Sequence, residues 1–284
     1  MKLINDFTEY QILNMSNGEK TESWNGVILK RPDPQIIWEN DKIIFNIDAI
    51  YTRSNTGGGK WNIKNKVPSS WVIHYQDLEF NLKLMGFKHT GLFPEQAYNW
   101  NLVREKIRNA RGQVRVLNLF AYTGALSIAA LKEGANVTHV DSSRGMIDWA
   151  KENVKLNHLE DKPIRFLVDD VRKFVKREIR RGNHYDIIVM DPPSFGRGSK
   201  NEVWSIEQDL NELIKDTALL LSDDALLFLI NSYTTGLSKT VLENILYLYI
   251  KQDGIISSDE LGLPEKDTKL ILPCGIYARW ESKK

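Results

Sequence analysis

The chain has 284 residues, 42% of them hydrophobic and 26% charged, with a formal net charge of +1. This composition excludes a disordered or fibrous chain and allows a sizeable core, while the near-neutral balance neither requires nor excludes a nucleic-acid partner. No apolar run reaches the ~20 residues that span a bilayer, the start MKLINDFTEYQ lacks an apolar signal core, and the lone Cys274 leaves no disulfide framework or cysteine metal site; the expectation is a cytoplasmic protein without a metal.

In chain order, residues 1–85 read as a β-rich region of short strands and turns, a candidate substrate-orienting domain. YQILNM and WNGVILK flank a hairpin turn at Asn17-Gly18. IIWEN, KIIFNI and WVIHYQ are further short apolar runs, and RSNTGGGKWNIKNK between them reads as a glycine-rich basic loop without phosphate-loop spacing. Residues 86–284 read as a second, larger α/β domain. From Gly112 onward, strands and helices alternate: VRVLNLF, then GALSIAALKEGA; NVTHVDSS, then RGMIDWAKENVKLNHL; IRFLVDD, then VRKFVKREIRRG. HYDIIVMDPP is followed by a long helix near Val203 to Leu221 and by the strand ALLFLINS. Such alternation predicts a parallel sheet covered on both faces, with ligands at the carboxyl ends of its strands.

Those ends carry the candidate site. The first strand runs into Asn118-Leu119-Phe120-Ala121-Tyr122-Thr123-Gly124, where a glycine at the turn lets backbone approach a ligand. The dinucleotide spacing G-x-G-x-x-G is missing, which argues against a pyrophosphate. The second strand ends in Asp141-Ser142, an acid suited either to ribose hydroxyls or to capping the next helix. The third ends in Asp169-Asp170-Val171, where a carboxylate suits an adenine amino group or a helix cap. The fourth ends in Asp191-Pro192-Pro193-Ser194-Phe195, whose prolines neither extend the strand nor continue as a helix.

Together, VLNLFAYTG, VDSS, DD and VMDPPSF resemble the Rossmann-like class I S-adenosylmethionine-dependent methyltransferases. They are most similar to the catalytic domain of the large-subunit 23S ribosomal RNA methyltransferases, especially the group with the cytosine-C5 enzyme. The resemblance implies S-adenosyl-L-methionine as cofactor. It assigns Phe120 and Gly124 to the loop around the methionine part, Asp141 to the ribose, and Asp170, with Asp169 as its close competitor, and Val171 to the adenine, with Thr123 and Ser142 as further cofactor-binding candidates. It sets Asp191, Pro192, Pro193 and Phe195 around the transferred methyl, with Asp191 also beside the cofactor. In similar amino-methylating enzymes an acid or amide and a proline carbonyl accept from an amine, and an aromatic stacks on the base. There the aromatic follows the second proline directly; here Ser194 intervenes. Gln96 in GLFPEQAYNW matches a cofactor-binding glutamine, while Ala97 and Trp100 stand where relatives carry arginines. Relatives with C5 chemistry carry a cysteine after the fifth strand, but Leu229 to Thr234 contains none, so a nitrogen, an oxygen or another acceptor fits better.

Four residues remain as substrate-binding candidates: Ser194, Arg197, Lys60 and Trp61. Arg197, between two glycines, suits a phosphate or carboxylate, or is a surface arginine. Lys60 and Trp61, with Lys64, combine positive charge with an aromatic, a pairing that can bind single-stranded RNA. Arg172, Lys173, Lys176, Arg177, Arg180 and Arg181 form a basic helix that reads either as an RNA surface or as a solvated face. Cys274, between Pro273 and Gly275, reads as an inert thiol in a tight turn between two late strands. An RNA methyltransferase is the favoured reading, with a methyltransferase of a small molecule or protein as the alternative.

Overall fold

The computed structural model describes residues 1–42, 44, 46–54, 58–197 and 203–283, except for the Arg197 side chain. They form two compact units, Met1–Ala97 with Gly262–Cys274, and Tyr98–Leu261 with Gly275–Lys284.

The first unit opens with β1 (Lys2–Leu3) and continues with β2 (Tyr10–Ser16), β3 (Glu19–Trp24), β4 (Val27–Pro32), β5 (Ala49–Arg53) and β6 (Gly59–Ile63). Strands β2 to β6 make a sheet in sequence order, and β7 (Trp71–Tyr75) pairs with β8 (Leu78–Leu82) as a separate hairpin. The β2–β3 turn has Asn17 and Gly18 at φ 51° and 77°, the left-handed pair a two-residue hairpin demands. Residues 36–40 form no strand. Their carbonyls instead cover that turn, Ile36 accepting from Gly18 N at 2.7 Å and Trp38 from Asn17 N at 2.8 Å. Within KIIFNI, Ile43 and Phe45 lie outside the described residues, and the rest carries no strand. The glycine-rich stretch is not an open loop: Gly59-Lys60-Trp61 lies in β6, paired with β5, and Asn55, Thr56 and Gly57 lie outside the described residues. At the centre of this unit Glu22 is fully buried and accepts from Arg31 and, at 2.6 Å, from the Tyr10 hydroxyl. Burial pushes its carboxyl up, but Arg31 and Lys20 outweigh that and hold it at about 2.

The second unit begins with α1 (Ala97–Asn109), which follows the 3₁₀ turn Pro94–Gln96. Then come β9 (Arg115–Leu119), α2 (Ala125–Lys132), β10 (Asn136–Asp141), α3 (Arg144–Leu156), β11 (Ile164–Val168), α4 (Val171–Arg181) and β12 (Ile187–Met190). A short ribbon, β13 (Phe195–Arg197) with β14 (Val203–Ser205), precedes α5 (Ile206–Ala218), β15 (Leu227–Ser232), α6 (Lys239–Tyr249), β16 (Gly254–Pro264) and β17 (Ile271–Ser282). The central sheet runs β16-β17-β15-β12-β9-β10-β11. β9, β10, β11, β12 and β15 are parallel, and β17 is antiparallel to β15. Strands β12 and β15 are buried at every residue, as strands covered on both faces must be. This is the mixed α/β, Rossmann-like sheet expected from the alternation, with a β-rich region ahead of it.

Two boundaries differ from expectation. The helix after the fourth strand starts at Ile206, because Val203–Ser205 pairs with Phe195–Arg197 first. The two late strands around Cys274 are one strand, β17, in which Cys274 sits buried and Gly275 takes φ 93°. Strands β16 and β17 both cross between units, so Gly262–Cys274 leaves the second unit for the first and returns. Inside the first unit this excursion is tied in, with Lys266 N donating to Ile12 O at 2.8 Å and Gln35 Nε2 to Pro273 O at 3.2 Å.

Candidate active site

The order of the sheet reverses between β9 and β12, since β10 and β11 lie on one side of β9 and β12 and β15 on the other. Parallel α/β sheets bind ligands at the carboxyl edge of such a reversal. Register aligns that edge: Leu119 pairs with Val140 and with Met190, and Asp141 with Val168. The residues that follow, Phe120, Asp141, Asp169 and Asp191, therefore share one rim.

The loop after β9 is held in an unusual shape. Phe120, Tyr122 and Gly124 have φ of 55°, 51° and 88°, a run of left-handed residues that only surrounding structure can hold in place. A Cβ on Gly124 would stand 3.1 Å from the Ala150 Cβ on α3, so glycine also allows that helix to pack close. The hydrogen bonds that hold the loop include Ala121 N to Val140 O at 3.0 Å, Gly124 N to Ala121 O at 3.1 Å, Asn153 Nδ2 to Thr123 O at 3.0 Å, and Tyr122 N to Asp141 Oδ2 at 2.9 Å. Beneath it lies a buried relay, Asn118 Nδ2 to Ser127 Oγ at 2.9 Å and Ser127 Oγ to His139 Nδ1 at 2.9 Å. Burial drives the His139 pKa down to about 3, so its ring is neutral.

Asp141 ends β10. Its Oδ1 accepts from Ser143 N at 2.8 Å while Oδ2 takes the Tyr122 N–H, and Ser143, not Asp141, caps α3. Burial raises the Asp141 pKa against the pull of those two N–H groups. Each oxygen keeps a lone pair, which fits two vicinal hydroxyls. Ser142 stands exposed beside it. Asp170 is the cap of α4, accepting from Lys173 N at 3.0 Å, and Asp169 is ion-paired with Arg177. Val171 is buried, so its backbone N–H at the first position of α4 is the part suited to a ligand.

Asp191 follows β12 and extends the ladder once more, its N–H reaching Leu119 O at 3.4 Å. Pro192 is buried, and Pro193 and Ser194 are exposed. The Trp204 indole donates to Pro193 O at 2.6 Å, Ile206 N to Ser194 O at 3.0 Å, and Ser194 Oγ pairs with Thr234 Oγ1 at 2.7 Å. Trp204 also packs on Phe120, ring centroids 5.3 Å apart, so the first and fourth strand-end loops share a wall. The proline loop is thus rigid beyond what its prolines impose. The Arg197 side chain, and all of Gly198, lie outside the described residues.

The structure therefore brings together Phe120, Thr123, Gly124, Asp141, Ser142, Asp169, Asp170, Val171 and the Asp191–Phe195 loop in the second unit. Gln96, Lys60 and Trp61 belong to the first unit. There Gln96 ends the 3₁₀ turn half-buried, Lys60 is exposed, and Trp61 packs on Tyr51 with its indole donating to Phe87 O at 3.1 Å. Sequence reasoning missed Trp204, Thr234 and the Asn118–Ser127–His139 relay. Trp204 had one readable signal, an indole shortly after a proline loop; the others matter only through contacts remote in sequence. Most of the basic helix α4 is neutralised: Arg172 bonds Asp209, Lys176 Glu212, Arg177 Asp169 and Arg181 Glu178.

Residues 53–246 match the S-adenosylmethionine-dependent methyltransferase family. The chain belongs to that family. Its cofactor is S-adenosylmethionine, and the rim offers groups of a kind that fits it: the Asp141 carboxylate, a loop opened by Gly124, and the Asp170 carboxylate and Val171 N–H at the start of α4. A solved S-adenosylmethionine-dependent methyltransferase from Agrobacterium tumefaciens is 34% identical and superposes with a TM-score of 0.94 over 99% of this chain and 93% of its own. Ribosomal RNA large subunit methyltransferase K/L of Pseudoalteromonas atlantica is 37% identical over 145 residues, 50% of this chain and 20% of that one. Ribosomal RNA large subunit methyltransferase K of Neisseria meningitidis serogroup B is 32% identical over 169 residues, 59% of this chain and 47% of that one. The chain thus spans half or less of the length of these curated relatives.

Proposed function

We propose that this protein transfers a methyl group from S-adenosylmethionine to RNA, ribosomal RNA first among candidates. The observation that carries the substrate is the likeness, over half or more of this chain, to enzymes named for large-subunit ribosomal RNA. A cytoplasmic location, where ribosomal RNA is found, goes with this reading; among the described residues no helix is long and apolar enough to cross a membrane.

The bound cofactor supplies an electrophilic methyl on a sulfonium, so the protein's task is to orient the acceptor. Asp141 fixes the ribose, the Phe120–Gly124 loop shapes the methionine end, and Asp169 or Asp170 with the Val171 N–H reads the adenine. Asp191 and the proline loop then face the acceptor. A carboxylate beside an amine, ring nitrogen or hydroxyl accepts its proton or hydrogen bond and keeps the lone pair aimed at the methyl. Trp204 and Thr234 hold that loop still, which is how a rigid scaffold reduces the entropic cost of reaching the transition state. The chain places no thiol at the fifth strand end, and burial holds the thiol of Cys274 well above its ordinary pKa. A thiolate-dependent C5 reaction is accordingly not the one we assign.

The deciding experiment is transfer of labelled methyl to RNA, protein and small-molecule fractions from cells lacking this protein. Label in ribosomal RNA, with turnover at least a hundredfold lower for Asp191→Ala and cofactor affinity kept, is the expected result (about 10²-fold being the scale of a lost positioned acid–base group). Label confined to the small-molecule or protein fraction transfers the assignment to the alternative substrate class.

A further inference from the structure

Beyond β15 the chain exposes Tyr233, 43% accessible, and beyond β12 it exposes Phe195, 60% accessible. Each aromatic immediately follows or precedes a residue of one hydroxyl pair: Ser194 precedes Phe195, Thr234 follows Tyr233, and Ser194 Oγ lies 2.7 Å from Thr234 Oγ1. That bond pins the two strand-end segments together beside Asp191. Tyr233 is also backed from behind. Gly275 takes φ 93° where a Cβ would fall 2.6 Å from Ser232 O and 3.2 Å from both the Cα and the Cδ2 of Tyr233. Strand β17 thus presses on the root of Tyr233 so closely that only glycine fits, which limits where the ring can go. Asn231 is fixed as well, its Oδ1 accepting from Asn99 Nδ2 at 2.8 Å.

A surface that exposes two large aromatic rings on braced backbone, next to a polar acceptor, is unlike a scattered exposed hydrophobe. Flat faces of this kind hold unstacked bases, because every base offers a π-face to an aromatic ring. We infer that Tyr233 is a substrate-specificity residue, one jaw of an aromatic clamp with Phe195 that holds an unstacked base of single-stranded RNA in front of Asp191. The inference rests on the RNA reading above and extends it: the substrate must present its target base out of a helix. Double-stranded RNA of the same sequence is therefore a poor substrate.

The test uses the full chain, labelled S-adenosylmethionine and protein-free ribosomal RNA from cells lacking this protein. Tyr233→Ala should raise the KM for RNA about tenfold or more, the scale of one lost stacking partner. Tyr233→Phe, which keeps the ring, should stay within about twofold, and Tyr233→Leu should behave like alanine. The KM for S-adenosylmethionine should be unchanged in all three. If wild type methylates the RNA and Tyr233→Ala does so with the same KM, the clamp is wrong and the RNA reading stands. If the alanine variant also loses cofactor affinity, Tyr233 supports the fold and the clamp is wrong. If wild type labels no RNA, the reading and the clamp fall together.

Discussion

Asp141 and His139 show opposite uses of burial two residues apart on one strand. Burial raises the Asp141 pKa above its ordinary 3.8, so the folded state holds that proton more tightly than the unfolded state does. Its protonated form stabilises the fold, and this stabilisation is lost as pH rises through the raised pKa. Affinity for S-adenosylhomocysteine, measured by calorimetry, should fall as pH drops through the same range, and Asp141→Ala should weaken it by about 1.5–3 kcal/mol for each charge-assisted bond lost. His139 runs the other way. Its folded pKa is about 3 against an ordinary 6.5, so the unfolded state binds the extra proton between those values and stability falls as pH falls through that window. Urea melts of His139→Gln should show a shallower loss between pH 6.5 and about 3 than wild type. Asp141 was legible because an acid at a strand end belongs to a recurring pattern. His139 was not, because a histidine inside an apolar run shows neither its depth nor its serine partner. The inert reading of Cys274 fits its burial, though its place in a turn did not survive.

The loops act as elements, and two of them can be tested separately. Gly124→Ala meets a left-handed φ of 88° and a contact of 3.1 Å with α3, so it should cost about 1–3 kcal/mol in thermal or urea unfolding. Trp204→Phe keeps the packing on Phe120 but removes the N–H that reaches Pro193 O. It should leave cofactor affinity unchanged and slow turnover roughly tenfold, the equivalent of ~1.4 kcal/mol in the barrier. In α4, Glu178 is fully buried and accepts from Arg181, Asn183 and Tyr185. Glu178→Ala should therefore destabilise by about 1–3 kcal/mol in a urea melt, the scale of leaving a buried donor such as the Tyr185 hydroxyl unsatisfied. The alternating strands and helices from Arg115 to Ser232 could be read because apolar spacing changes cleanly from one to the other. Residues 36–40 could not, since an apolar run that caps a turn looks like one that pairs. The same holds for β13 and β14, three residues each, whose pairing decides where α5 starts.

For the whole molecule, a net charge of +1 and a basic helix already matched by acids leave little positive surface on α4 to grip a polyanion. If RNA binds through the first unit's Lys60 and Lys64, log affinity should fall steeply with log salt. Reversing both charges should reduce that slope by about 1.4 or more, given about 0.7 per neutralised phosphate on single strands; filter binding at several salt concentrations reads this directly. Class and cofactor were legible because four short signatures occur in order at four strand ends. The division into units was harder to see, because Gly262–Cys274 carries no mark of the company it keeps.

That excursion has a consequence for how the protein is made. Ribosomes deliver residues in order, and domains generally fold as they emerge. The first unit is synthesised first, yet Lys266 must reach Ile12, and Pro273 must reach Gln35, before its hydrogen bonding is complete. One edge of β2 pairs with β3, but its contact with Lys266 waits until most of the second unit has left the ribosome. A chain interrupted before Cys274 therefore has the strand-end loops from Phe120 to Phe195 but lacks both the full segment that completes the first unit and the part of β17 that pairs with β15.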